Sequence, residues 1–286
     1  MKKLYLIPFL FLSLLIGCGE TSEDPAPTTD PDTYLQSVNT YLAVYEYGKP
    51  SSYKRNWEST VFNQEGDTIE TVLRGEHTVD PSRSFERTVS YTYNNGKISE
   101  KTISSLLGGT RRLVYSYTGE RLSTITIYGQ NGITDIQEYE YSGGGKPSKM
   151  VSKSSAADKY PTIHEYTYDG RGNMIGEETT YTRDNAGGKK MWEYDSKNNV
   201  TKVAYLSKGD TEAVIYKLSE YKYDGDRIAE NEFSTLGTLN FQKRVYHYDD
   251  KGQITTVDVY EETDHHSRNY EQKAVISYEY NYEDKQ

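Results

Sequence analysis

Aromatic residues alternate with polar ones in short runs, and the runs recur along most of the chain. Tyr91-Thr92-Tyr93 returns as Tyr115-Ser116-Tyr117, Tyr139-Glu140-Tyr141, Tyr166-Thr167-Tyr168, Trp192-Glu193-Tyr194, Tyr221-Lys222-Tyr223, Tyr246-His247-Tyr248 and Tyr278-Glu279-Tyr280. Successive starts lie 24, 24, 27, 26, 29, 25 and 32 residues apart. Side chains on an extended strand change face at every residue, so both rings of a pair share one face. A motif recurring at this period marks one supersecondary unit used many times.

Turn residues follow the pairs up to Tyr246-His247-Tyr248. Tyr248 runs into Asp249-Asp250-Lys251-Gly252, and the chain then re-extends through Ile254 to Tyr260, a stretch rich in β-branched residues. Asp bonds the backbone ahead and Gly accepts positive φ, so the unit reads as strand, tight turn, strand. The same grammar appears at Asn94-Asn95-Gly96, Thr118-Gly119-Glu120, Asp169 to Gly172, Asp195 to Asn199 and Asp224-Gly225-Asp226. Return strands are expected from near Ile98, Leu122, Met174, Val200 and Ile228. Their apolar spacing changes parity after the first residue. A β-bulge explains that, and so do two partly apolar faces.

A second set of turns joins one hairpin to the next, at Leu107-Gly108-Gly109, Asn131-Gly132, Ala186-Gly187-Gly188, Lys208-Gly209-Asp210, Leu236-Gly237 and Asp264 to Ser267. These vary more than the motif turns. In an up-and-down meander the two sets occupy opposite rims, and the variable rim is the better place for a binding surface. Eight motif strands and seven return strands follow from Arg83 onward. Tyr41 to Tyr47, Tyr53 to Phe62 and Thr68 to Leu73 read as three more. The expectation is an all-β chain of repeated antiparallel hairpins, roughly 16–18 strands, in one domain over 33–286. An open sheet of that width leaves long edges, so a large up-and-down barrel, closed or nearly closed, is expected.

Composition sharpens this. Hydrophobic residues are only 34% of the chain, yet Tyr alone numbers 29. Tyr buries a ring and keeps its hydroxyl near water, which suits a thin, half-wet sheet.

The first 17 residues differ from the rest. Lys2 and Lys3 precede an apolar run, Leu4 to Ile16, too short for a permanent membrane anchor. It ends in Leu15-Ile16-Gly17-Cys18, which resembles a bacterial lipobox. The resemblance implies a signal peptide over 1–17, cleavage between Gly17 and Cys18, and lipidation of Cys18, the only cysteine. Two or three acyl chains give stable anchoring. Residues 18–32 are rich in Glu, Asp, Pro, Thr and Ser and read as a disordered acidic tether. Glu20, Glu23 and Asp24 close behind the cysteine resemble the surface-export signal of Bacteroidota-type lipoproteins, with a plain acidic linker as the alternative. The expected location is the outer membrane at the cell surface, the periplasmic face being the other option. Losing Lys2 and Lys3 lowers the formal charge from −10 to −12. Such a surface should avoid nucleic acid and anionic membrane.

The pattern Y-x-Y-D-x-x-G, clearest at Tyr166 to Gly172 and Tyr246 to Gly252, resembles the tyrosine-aspartate repeats of Rhs-type surface and toxin-shell proteins. Asn94, Thr118, Ser142 and Asn281 stand where four repeats lack the Asp. With the lipobox, the chain is similar to Bacteroidota-type YD-repeat surface lipoproteins of unknown function. That resemblance implies a porin-like barrel and transfers no catalytic residue.

Candidate chemistry is sparse. Asp264-His265-His266 invites a metal reading, but adjacent residues on a strand point apart and a solvated loop is expected. His77, His164 and His247 are isolated and read as structural. Glu177-Glu178 and Glu261-Glu262 are carboxylate pairs of the kind used in glycoside hydrolysis, although neighbours on a strand again face apart. Tyr and Trp faces stack on sugar rings, so Tyr160, Trp192 and Tyr205 are the candidate glycan contacts. The competing reading is that these rings make the sheet core. No metal site, cofactor or catalytic residue is expected. The leading expectation is a non-enzymatic binding or structural lipoprotein, held to the membrane by acyl chains, with a glycan or surface protein as partner. The alternative is a hydrolase of envelope or dietary polymer using rim carboxylates. A membrane pore is the third reading, disfavoured because return strands such as Ile228 to Glu232 carry charge where lipid would lie.

Overall fold

The computed structural model describes residues 33–46, 49–75, 85–105, 108–154, 159–207, 215–235, 240–262 and 270–284. The signal segment, Cys18, the tether, His77, the Asp264-His265-His266 cluster and the turns at Lys208-Gly209-Asp210 and Leu236-Gly237 lie outside them.

All regular structure here is strand. The three leading strands are β1 (Thr33–Glu46), β2 (Lys49–Phe62) and β3 (Thr68–Gly75). The motif strands are β4 (Phe85–Asn94), β6 (Gly109–Thr118), β8 (Gly132–Tyr141), β10 (Thr162–Tyr168), β12 (Ala186–Tyr194), β14 (Ile215–Asp224), β16 (Asn240–Tyr248) and β18 (Tyr270–Asp284). Between them run the return strands β5 (Lys97–Ser105), β7 (Arg121–Gly129), β9 (Pro147–Lys153), β11 (Met174–Tyr181), β13 (Val200–Ser207), β15 (Arg227–Thr235) and β17 (Ile254–Glu262). Each strand pairs antiparallel with the next in sequence, and β1 pairs with both β2 and β18. The result is a closed 18-stranded up-and-down barrel, at the upper end of the expected range. Closure removes the free edges that an open sheet of this width would expose.

The parity change in the return strands is a β-bulge. Register slips by one residue at Thr92/Tyr93, Ser116/Tyr117, Glu140/Tyr141, Thr167/Tyr168, Glu193/Tyr194, Lys222/Tyr223 and His247/Tyr248. In each case the extra residue sits second or third in the return strand. Several of these are hydroxyl residues that donate to the strand opposite: Ser99 to the Thr92 carbonyl at 3.1 Å, Ser123 to the Ser116 carbonyl at 2.9 Å. A bulge bends the strand and strengthens its twist, which suits barrel closure.

All eight motif pairs divide the same way. Both aromatics are buried or half-buried, and the residue between them is exposed, from Thr92 to Glu279. Closing a sheet crowds the side chains of its inner face and splays those of its outer face. The aromatic face therefore lines the interior. Trp192 (5% exposed) and Val257 (2%) are its most enclosed members. The outer face carries cross-strand ion pairs instead: Lys149–Glu140, Lys202–Glu193, Lys222–Glu230 and Arg112–Glu100.

One turn differs from its sequence reading. Ala186-Gly187-Gly188 is the start of β12, and the reversal is made by residues 182–185. Asn185 takes the positive φ (57°). Gly187 is needed inside the strand, because a Cβ there would run into the Thr179 carbonyl of β11.

Candidate functional site

The second tyrosine of each motif makes one conserved-geometry contact. Tyr93, Tyr117, Tyr141, Tyr168, Tyr194, Tyr223, Tyr248 and Tyr280 donate their hydroxyls to the carbonyls of Thr68, Ile98, Leu122, Pro147, Met174, Val200, Ile228 and Ile254, at 2.7–3.1 Å. Each acceptor lies two residues outside the last ladder pair of its strand with the motif strand. For example, Lys202↔Glu220 ends the β13–β14 ladder and Val200 lies beyond it. The hydroxyl extends the pairing where the backbone ladder has run out.

The motif rim is stitched further. Asp169 Oδ1 accepts the backbone N–H of Arg171 and Asn173, and Asp195 Oδ1 accepts those of Lys197 and Asn199, at 2.8–2.9 Å. Partial desolvation opposes ionisation of both carboxyls, but these hydrogen bonds outweigh it and hold them below the usual range. Lys97, Arg121, Lys146 and Arg227 lie over the rings of Tyr117, Tyr141, Tyr168 and Tyr248 in the next motif. The sequence signal for this was a basic residue at the head of the return strand, and it was not singled out.

A different assembly sits on the inner face of β10 to β15. Tyr166 opposes Glu177, Glu177 opposes Lys190, Lys190 opposes Tyr205, and Tyr205 opposes Lys217. Directly opposed residues share a face and touch, so five strands present one continuous row. Lys190 Nζ lies 4.5 Å from the Trp192 ring centre and 5.2 Å from that of Tyr205. Lys217 Nζ lies 5.2 Å from the Tyr205 ring and 5.1 Å from that of Phe233. Both ammoniums are held by ring faces.

Glu177 anchors one end. Its Oε1 is 2.9 Å from His164 Nδ1, and Thr179 Oγ1 is 3.1 Å from the same nitrogen. An ionised carboxylate only accepts, so Nδ1 carries the proton. The hydrogen bond from His164, with the charges of His164 and Lys190, holds the Glu177 carboxyl below its usual range although burial opposes this. Burial pushes the Lys190 ammonium down, partly offset by Glu177. Burial, then the neighbouring Lys190 charge, pushes Lys217 down. Burial, then Glu177, pushes the Tyr205 hydroxyl up.

The candidate residues thus separate. Trp192 and Tyr205 come together on the inner face, with Trp192 beneath Lys190 and not open as a free stacking surface. Tyr160 is 57% exposed, between β9 and β10 and off the row. His164 is not isolated, because it holds Glu177. Glu177 is an inward group within β11 and not a rim carboxylate, and Glu178 faces out. Glu261 accepts from Gln242 Nε2 at 3.1 Å. His247 faces out, 2.9 Å from Asp258. Lys190, Lys217 and Phe233 were missed by sequence reasoning. Lys190 has a positional signal, since it occupies an inner-face register site held by Val89 and Leu113 in the first two repeats, whereas Lys217 stands where those repeats carry Arg87 and Arg111, and Phe233 stands where they carry Ile103 and Ile127.

No family model matches the chain, and no curated protein matches it. Among solved structures it is similar to a porin-like protein from Bacteroides uniformis at 11% identity and a TM-score of 0.45, over 89% of this chain and 100% of that one. A porin-like protein from Bacteroides vulgatus matches at 11% identity and a TM-score of 0.34, over 87% of this chain and 99% of that one. The complex TcdB2-TccC3-Cdc42 matches at 12% identity and a TM-score of 0.39, over 82% of this chain but 14% of the other. Likenesses this distant carry no argument about function, and the barrel rests on this chain's own strand register.

Proposed function

We propose that this chain is a lipid-anchored, non-enzymatic binding barrel that takes a sugar ligand on the inner face of β11 to β15. The observation that carries the reading is the row Glu177, Lys190, Tyr205 and Lys217, flanked by Trp192 and Phe233. Aromatic faces and polar groups converge there on the enclosed side of the sheet, as ligand sites require. Cys18 supplies the anchor in this reading. Thr33 opposes Asp284 on the motif rim, where β1 begins and β18 ends. The stretch 18–32 joins the barrel at this rim, so in this reading the motif rim is the one nearer the membrane and the variable rim opens away from it. The ion pairs on the outer face support a water-exposed wall over a lipid-facing one.

Two measurements test this. Mass analysis of the mature protein should find acyl groups on Cys18, and the Cys18→Ser variant should lose both them and membrane retention. The lipidated protein in detergent should retain polysaccharide on a glycan array without releasing products, with retention lost in Tyr205→Ala. Product release would move the assignment to a hydrolase. Retention unchanged by Tyr205→Ala would remove the site.

A further inference from the structure

The inner row also has a charge character, which the sugar-binding reading does not use. It holds two ammoniums, Lys190 and Lys217, on either side of Tyr205. Its one carboxylate, Glu177, is already engaged by the His164 Nδ1–H at 2.9 Å. A ring face attracts a cation without accepting its directional N–H bonds, so the three donors on each ammonium remain for oxygen acceptors. The two lysines are also like charges on one face of adjacent hairpins, and an anion between them would relieve their repulsion. The half-buried setting weakens solvent screening and strengthens any such pairing.

We infer that the site takes an anionic sugar, a uronate or sulfated unit, with Lys190 and Lys217 binding the anionic group from over the Tyr205 ring and the half-buried edge of Tyr205 packing against the sugar. The inference rests on the sugar-binding reading above and deepens it. A free inorganic anion would use the two lysines and leave the aromatic flank without a role. A neutral sugar would use the rings and leave two like charges facing each other. The anionic sugar accounts for both halves.

Trp192 provides the readout, since Lys190 lies over its ring. In a Trp57→Phe background it is the single remaining tryptophan. The lipidated protein in detergent micelles is titrated with oligogalacturonate, with its fully methyl-esterified counterpart, with a heparin-type sulfated oligosaccharide and with plain sulfate. The free acid should perturb Trp192 fluorescence and bind roughly tenfold or more tighter than the ester, about 1.4 kcal/mol, and more weakly as salt rises. Lys190→Gln with Lys217→Gln should abolish the preference, and Lys190→Arg with Lys217→Arg should restore part of it. A circular-dichroism melt of each variant separates this from misfolding. Equal binding of acid and ester overturns the anionic assignment and leaves the sugar reading standing. Sulfate competing as well as either oligosaccharide overturns the sugar half. No binding of any probe overturns both.

Discussion

The motif rim and the inner row of β10 to β15 are built from the same repeat by opposite means. On the rim every hairpin does the same thing: a tyrosine hydroxyl caps a neighbouring carbonyl, eight times over. In the row each hairpin does something different. Two residues before the first aromatic stand Val89, Leu113 and Ile276 in some repeats, but His164 and Lys190 in the fourth and fifth. Opposite the first aromatic stand Ile125 and Val257 in some hairpins, but Glu177 in the fourth. Uniform positions make the scaffold, and positions where the pattern is broken make the candidate site. A scaffold shared among many hairpins can tolerate polar substitutions in a few of them.

The largest effect that would test this division is alkaline unfolding. Burial, reinforced by neighbouring tyrosines, pushes Tyr115, Tyr223, Tyr278 and Tyr280 up to about 12 from the usual 10.0. For a group whose folded pKa is raised, the stabilisation is complete below the unfolded pKa and is lost as pH climbs toward the folded one. The loss therefore falls between pH 10 and about 12, and four scaffold tyrosines add to it together. Lys190 and Lys217, held below the usual 10.5, act in the reverse sense and gain as pH rises. Two such groups against four leave the tyrosines dominant. Far-UV circular dichroism should collapse in that window, with tyrosinate absorbance appearing in the same step. Gradual ionisation near pH 10 with the strand signal intact at pH 12 would show that the rings do not hold the barrel.

Next in size is Trp192→Ala. This ring stands at a scaffold position and also forms the floor under Lys190, so it belongs to both regions. Truncating a buried Trp costs about 3–5 kcal/mol. A denaturant midpoint should shift accordingly. A loss within the range of a surface substitution would mean that Lys190 and its neighbours close over the gap.

A smaller effect isolates the rim. Tyr223→Phe keeps the ring and removes one donor, leaving the Val200 carbonyl without it. The expected cost is about 0.5–1.5 kcal/mol, readable as a lower midpoint at unchanged slope. The same change at Tyr117 or Tyr248 should cost a similar amount, because the contact is the same. Unequal costs would break the claim of uniformity.

These contacts also show how far the sequence reached. Paired rings with Asp and Gly after them specify hairpins, because side-chain alternation and turn chemistry act locally. The first element differs: β1 starts at Thr33, well before the expected Tyr41, since its pairing partners are β18 and β2. Nothing local marks that start. Ala186-Gly187-Gly188 read as a turn because glycine serves two ends, and here it allows β11 and β12 to approach closely. The Glu177–His164 pair and the Lys190–Tyr205–Lys217 row join residues on separate strands. Their proximity depends on a register offset by the recurring bulges, so spacing along the chain could not reveal them.

The smallest effect sharpens the comparison most. Burial disfavours the charged forms of Lys190 and Lys217, so their charges add little to the stability of the fold. Removing those charges should leave the fold about as stable as before, within roughly 0.5 kcal/mol, or slightly more stable. Lys190→Gln and Lys217→Gln should therefore match the parent midpoint in denaturant while losing acidic-sugar binding. Tyr223→Phe should do the reverse, losing stability and keeping the ligand, since its hydroxyl is committed to Val200. If the lysine variants unfolded earlier than Tyr223→Phe, the lysines would be scaffold after all. The line between rim and row would then fall somewhere else in the repeat.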